Sequence, residues 1–245
     1  MRSFYEELSD RSRKRLALLV DPDKYETDSL DRLIAQIKSS PPDLLLVGGS
    51  ILFQPIEITI AALKLGTSLP VFIFPGNVMQ LSDHADGILF LSMISGRNPE
   101  FLIGNHVLAA PHLRRFGIEV IPTGYMLIED GRSSSVEYMS QTKPIPAGKT
   151  EIAVATAIAG EMLGLKCIYL EAGSGAAHTV GLDMVREIRK QLSLPLIVGG
   201  GISSRESASD IYKAGADMIV VGTAVEKDPA VLEDFCDLRS SLNNS

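Results

Sequence analysis

The 245-residue chain has only two cysteines, Cys167 and Cys236. They supply neither a disulfide framework nor the close pairs of a structural zinc site. Of the four histidines, His84, His106 and His112 show no ligand spacing with a cysteine or carboxylate cluster. Basic side chains are outnumbered 23 to 30, giving a formal net charge of -7. That balance disfavours wholesale binding to nucleic acid or to an anionic membrane. No uninterrupted apolar run approaches the roughly 20 residues that span a bilayer. No secretory signal is visible among the charged N-terminal residues Arg2, Glu6 and Glu7, so a reducing, cytoplasmic compartment is expected.

What is present is an ordinary globular balance, 45% apolar and 22% charged. The length suits one α/β barrel and also two ordinary domains, so rhythm has to decide. Short apolar runs recur at residues 16–20, 44–47, 71–74, 88–91, 118–121, 167–170, 196–198 and 218–221. Each has the length of a strand buried on both faces, as in a parallel sheet. Between them Leu30, Leu33, Ile34 and Ile37 follow the spacing of a helix stripe, as do Val185, Ile188 and Leu192. Ser203 and Glu206 have capping-box spacing, and Gly215 suits a helix stop. Eight strand-helix units predict a single (β/α)8 TIM barrel over residues 1–245, an α/β fold.

Two stretches break the rhythm. The segment after Phe74, with Pro75, Gly76, Asn77, Ser82 and Asp83, leaves room for a short third helix at most. The polar stretch 129–149 reads as a loop insertion, a functional lid or cover, because the alternation resumes after Thr150.

In such barrels the active site lies at the C-terminal strand ends. The first strand ends in Asp21-Pro22-Asp23-Lys24 and the second in Gly48-Gly49-Ser50. The sixth runs Tyr169-Leu170-Glu171-Ala172-Gly173-Ser174-Gly175. The seventh ends in Gly199-Gly200-Gly201 and the eighth in Gly222-Thr223. Glycine lets main-chain N–H groups approach an anion closely, and barrels commonly bind phosphate after strands seven and eight. Asp21 and Asp23, with the Ser50 hydroxyl, offer oxygens of the kind Mg2+ takes; a helix-capping carboxylate is the other reading. Glu171 sits in an apolar strand, which is costly without partners. Alternation places Tyr169, Glu171 and Gly173 on one face, toward a ligand, with a buried ion pair to Lys24 or Arg97 as the alternative. His178 fits a helix-cap neighbour, Arg114 and Arg115 a solvated helix face, and Lys24 either a phosphate contact or an exposed loop. The same glycine cup could serve a phosphosugar isomerase or lyase, a flavin oxidoreductase or a non-catalytic carrier.

These motifs, with Phe74-Pro75-Gly76 and Thr123-Gly124-Tyr125, resemble those of the geranylgeranylglyceryl phosphate synthase family, which includes heptaprenylglyceryl phosphate synthases. The resemblance runs in order along nearly the whole chain, and the sixth-strand motif is its most specific part. It implies a modified barrel that has lost its third helix. It implies transfer of a polyprenyl group from geranylgeranyl diphosphate, or from a longer donor such as heptaprenyl diphosphate. The acceptor would be the 3-hydroxyl of sn-glycerol 1-phosphate, with Mg2+ as cofactor. Asp21 and Ser50 would sit at the metal. Tyr169, Leu170, Glu171, Ala172, Gly173, Ser174, Gly175, Gly200, Gly201, Gly222 and Thr223 would bind the acceptor, with Glu171 and Tyr169 catalytic. The prenyl tail is expected near Phe72, Phe74, Met93 and Tyr125. A homo-oligomer, and a transient membrane contact at product release, complete the expectation.

Overall fold

Parallel pairing of the apolar runs closes a barrel in the computed structural model, which describes residues 3–244. The strands are β1 (Arg15–Val20), β2 (Leu44–Val47), β3 (Val71–Ile73), β4 (Gly87–Met93), β5 (Glu119–Leu127), β6 (Cys167–Glu171), β7 (Leu196–Gly199) and β8 (Met218–Val221). They pair in chain order, and β1 closes on β8. In chain order the helices are α1 (Phe4–Leu8), α2 (Thr27–Ser39), α3 (Ile56–Gly66), α4 (Asn105–Phe116), α5 (Ser135–Ser140), α6 (Thr150–Met162), α7 (Leu182–Gln191), α8 (Arg205–Ala214), α9 (Thr223–Lys227) and α10 (Val231–Asn243).

No helix joins β3 to β4, so the barrel lacks the crossover helix that the short segment after Phe74 left little room for. β5 differs from expectation. It continues past Pro122-Thr123-Gly124 to Leu127, and its pairing with β6 sets Tyr125 beside Tyr169 and Leu127 beside Glu171. Pro122 lacks an N–H but its carbonyl still accepts from Lys166 N–H, so the ladder passes through it. The cap of α8 also differs: Ser204, not Ser203, is the N-cap, and Ser207 completes the capping box.

Strand alternation sorts the core into two layers. Leu44, Leu46, Phe72, Leu89, Ile121, Tyr169 and Ile197 fill the lumen. Leu45, Val47, Ile88, Leu170 and Val198 point outward into the layer shared with the helices. Aspartates pin the N-terminal strand ends. Asp43 accepts from Leu16 N–H (2.8 Å), Asp86 from Val71 N–H (2.9 Å) and Asp217 from Leu196 N–H (2.9 Å). Each thereby ties the strand it precedes to the strand before it. Below them α1 stoppers the lumen. Glu119 accepts from the N–H groups of Phe4 and Tyr5, both at 2.8 Å, and the Phe4 ring packs 5.4 Å from that of Phe72. A carboxylate at a helix start is favourable because the first amides lack intrahelical partners.

With the bottom closed, ligands have access only at the other end. Phe4→Ala is expected to destabilise the fold by roughly 3 kcal/mol through the cavity it opens under Phe72. Urea unfolding monitored by circular dichroism measures the loss.

Candidate active site

Main-chain amides without partners collect at the C-terminal mouth. Among the described residues, the N–H groups of Ser174, Gly175, Gly200, Gly201, Gly222 and Thr223 donate to no protein acceptor. All six residues line one cavity of about 730 Å³. Partnerless amides are costly unless solvent or a ligand takes them, and convergent amides form an anion site. The packing demands glycine here. Gly200 has φ +81°, and a Cβ on it would lie 2.4 Å from Glu171 Oε1 and 2.8 Å from the Gly173 nitrogen. A Cβ on Gly199 would lie 2.2 Å from the Tyr169 hydroxyl. The cup is thus built directly against Tyr169 and Glu171.

Glu171 ends β6 on its lumen face and is 6% exposed. Its Oε1 accepts from Gly173 N–H at 2.7 Å. No cation pairs with it among the described residues: Arg97 donates to the Ile94 and Gly96 carbonyls instead. Burial raises the Glu171 pKa to about 7, against the pull of the Gly173 amide and the nearby Tyr169 hydroxyl. That hydroxyl is itself buried, and no partner meets hydrogen-bond geometry with it. Tyr169 stacks on Tyr125 (5.5 Å between centroids) and lies 5.3 Å from Phe74, so its ring is fixed. A protonatable carboxyl and a donor-acceptor hydroxyl therefore meet a ligand from one wall.

Across the mouth Asp21 does two things. Its Oδ1 accepts from Asp23 N–H at 3.0 Å and caps a 3-10 turn, Pro22–Lys24, which bears out the capping reading. Its Oδ2 lies 3.3 Å from where a Cβ on Gly49 would be and has no protein donor among the described residues. Burial raises its pKa, so the carboxyl takes a proton more readily than an exposed aspartate does. Asp23 is occupied otherwise, accepting from Phe53 and Gln54 N–H at 2.9 Å each. Ser50 lines the same wall.

Where the third crossover helix is missing, the cavity extends as an apolar arm. Outward-facing Ile88 and Phe90 of β4 line it with Leu81, Phe101 and Ala109. Phe74, Met93 and Tyr125 border it as expected from sequence, but Phe72 does not: it is buried at the bottom of the lumen against Phe4. The polar stretch 129–149 is folded rather than featureless. Ile145 bridges Ile128, and α5 brings Ser135, Val136 and Met139 to the cavity.

Of the residues singled out in the sequence, Asp21, Ser50, Tyr169, Glu171, Gly173, Ser174, Gly175, Gly200, Gly201, Gly222 and Thr223 all line this cavity. Leu170 and Ala172 do not. Their side chains face the helices, as alternation requires, and Ala172 N–H is used by the Gly199 carbonyl (3.1 Å). Asp130 escaped the sequence reading. Its two oxygens accept from Ala177 and His178 N–H at 2.9 and 3.1 Å, clamping the loop that carries Ser174 and Gly175. Those partners lie 47 and 48 residues away, and no local pattern announces them. Gln80 was missed too. It joins the loops after β2 and β3 by donating to the Gly49 carbonyl (2.7 Å) and accepting from Gly76 N–H (3.0 Å).

A closed parallel barrel with an amide cup, a buried lumen carboxylate and an apolar side arm defines a class, the phosphate-binding (β/α)8 enzymes with room for a hydrophobic substrate. A family model narrows it: the PcrB family matches residues 9–238, and the chain belongs to that family, that of the geranylgeranylglyceryl phosphate synthases. The geranylgeranylglyceryl phosphate synthase of Spirosoma linguale is 48% identical over 95% of this chain and 94% of its own. That of Flavobacterium johnsoniae is 50% identical over 91% and 92%. The crystal structure of (S)-3-O-geranylgeranylglyceryl phosphate synthase from Thermoplasma acidophilum, in complex with substrate sn-glycerol-1-phosphate, superposes with a TM-score of 0.92. It is 32% identical and covers 98% of this chain and 100% of that one. The isomerase, flavin and carrier alternatives lose their support with this membership.

Ionising Glu171 costs stability. Its folded pKa, about 7, lies above the ordinary 4.5, so the contribution is full below pH 4.5 and lost as pH rises through about 7. Glu171→Gln keeps an acceptor for Gly173 but cannot ionise. Its melting temperature is expected to exceed that of wild type above pH 7, with the gap closing toward pH 4.5. Thermal melts across that range check the sign.

Proposed function

We propose that this chain is an Mg2+-dependent prenyltransferase. It joins the 3-hydroxyl of sn-glycerol 1-phosphate to geranylgeranyl diphosphate as an ether and releases diphosphate. One juxtaposition carries the reading: six partnerless amides stand next to a buried carboxyl of pKa about 7, at the root of an apolar arm. A phosphate on the amides holds the acceptor's far end. Its hydroxyl then lies toward Tyr169 and Glu171, which orient it in one direction of attack. The new carbon–oxygen bond forms as the bond to diphosphate breaks, and Glu171 accepts the hydroxyl proton. A carboxylate with a pKa near neutrality suits that role, because it is both substantially ionised and basic enough to take a proton. The arm lined by Ile88, Phe90 and Phe101 receives the prenyl tail and excludes water from the reacting carbon. Donors longer than geranylgeranyl, heptaprenyl among them, are the second choice. Phe90 borders both this cavity and a further pocket of about 310 Å³.

The donor set fits Mg2+. The mouth carries Asp21, Asp23, Glu171, Glu226 and Asp228 against only Lys24 and Lys227, an acid surplus facing two phosphorylated substrates. No group of three or more His, Cys, Asp or Glu able to hold a metal gathers among the described residues. Mg2+ is habitually held by one or two protein oxygens completed by water and substrate phosphate. Asp21 Oδ2 and the Ser50 hydroxyl would hold it. Bound there, it would supply positive charge to neutralise the departing diphosphate.

We also place the enzyme in the cytoplasm, where the free, buried Cys167 and Cys236 remain reduced. No helix of the described chain is long and apolar enough to cross a membrane. Ile103, Val107 and Leu108 follow one another along one stretch, each about 60% exposed, and support a homo-oligomer that covers them.

Incubation with sn-glycerol 1-phosphate, Mg2+ and a ladder of prenyl diphosphates, read by mass spectrometry, tests the function. An ether product is expected, most abundant with the geranylgeranyl donor. Lack of product with every donor would contradict it. Glu171→Ala should lower turnover by on the order of 10²- to 10⁴-fold. Asp21→Asn should shift the Mg2+ titration of activity to higher concentration, and an unchanged titration would remove Asp21 from the metal.

A further inference from the structure

Around the open end of the cavity, apolar side chains point into solvent from loops that are firmly held. Phe53 is 87% exposed, Met79 86% and Ile51 51%. Such exposure on a mobile loop would mean little, but these loops are braced. Asp23 fixes the Phe53 and Gln54 amides, and Gln80 ties residues 49 and 76 together. Ile51 and Phe53 line the cavity mouth, as does half-exposed Met139 of α5, and Met79 directly follows Asn77 and Val78, which also line it. Large apolar groups gathered at one rim and kept out of the core mark a contact surface. The charged side chains at this mouth are mostly acidic, five carboxylates to Lys24 and Lys227, so the rim's contact is apolar rather than ionic.

We propose that this rim docks the open end of the barrel on a lipid bilayer, with Ile51, Phe53, Met79 and Met139 entering the boundary between headgroups and acyl chains. The inference rests on the prenyl-transfer reading. A donor and a product with long apolar tails reside in membranes, and the apolar arm opens at this rim. A docked mouth lets the tail pass between bilayer and arm without crossing water. A few apolar side chains give the reversible, interfacial attachment that repeated loading and release require, not a span.

The chain contains no tryptophan, so Phe53→Trp places a unique reporter in the rim. Leu65→Trp, at the C-terminal end of α3 and 91% exposed, is the control at the opposite end of the barrel. Both variants are mixed with vesicles of zwitterionic phosphatidylcholine, after circular dichroism shows wild-type spectra. The emission of Phe53→Trp is expected to move to shorter wavelength while that of Leu65→Trp stays. Met79→Ser is expected to cut turnover of vesicle-borne geranylgeranyl diphosphate severalfold and to leave turnover of the detergent-dispersed donor at the wild-type rate. No shift at position 53, or an equal shift at position 65, overturns the proposal. So does a shift produced without vesicles by substrates alone, which would mean closure over the ligand. Vesicle-free self-association that Met79→Ser abolishes also overturns it, since a second copy would then cover the rim. Failure of wild type to make product from the detergent-dispersed donor contradicts the prenyl-transfer reading instead, while the vesicle-binding arm stands independently of turnover.

Discussion

A carboxyl group is buried in the lumen with an amide and, among the described residues, no cation beside it, and the mouth of the barrel is arranged around that fact. Glu171 Oε1 takes the Gly173 amide at 2.7 Å, and Gly200 presses its Cα against the same oxygen so closely that no side chain fits. The chain turns after β6 and β7 are therefore dictated by the carboxyl, and both turns belong to the amide cup. Burial pushes the group to a pKa of about 7, so one placement supplies both a base near neutrality and the geometry of the anion site. A paired Glu171 would have been more stable and less basic, and the cup would not need to close on it. Perturbed groups of this kind cluster at functional sites because function tolerates a stability cost that folding alone would remove.

The other structural departures serve the same mouth. Loss of one crossover helix would ordinarily expose the outer face of β3 and β4. Here the exposed face becomes the apolar arm, and Ile88 and Phe90, outward-facing and core-like elsewhere in the barrel, become its walls. The stretch 129–149 is tied at its base by the Ile128–Ile145 bridge and through Asp130 to the loop after β6. The cover over the cavity and the cup beneath it are consequently held by the same carboxylate. Rigidity in the remainder comes from the opposite end, where Asp43, Asp86 and Asp217 pin strand starts and α1 stoppers the lumen.

The strand order and the short β3–β4 connection were legible in the sequence because buried parallel strands leave continuous apolar runs and helices leave stripes. The cup was legible because the glycines gather at the ends of consecutive strands, where barrels commonly bind phosphate, although tight βα turns also use glycine. Alternation also identified Tyr169 and Glu171 as lumen-facing, and the same rule turns the side chains of Leu170 and Ala172 toward the helices and away from the cavity. Long-range partners were not legible. Asp130 and Gln80 act on residues remote in sequence, and Phe72 shows why a tail-lining residue cannot be chosen from proximity to a motif: one face of β3 points into a lumen already filled by Phe4. β5 was cut short in the sequence reading because Pro122 and Gly124 resemble a strand end, whereas pairing with both β4 and β6 carries the strand through them.

The most direct measurement is a crystal structure of this protein with sn-glycerol 1-phosphate bound. The account predicts phosphate oxygens within hydrogen-bond distance of the amides after β6, β7 and β8, with the 3-hydroxyl against Glu171 and Tyr169. A phosphate seated away from those amides, or a hydroxyl turned from Glu171, would contradict it.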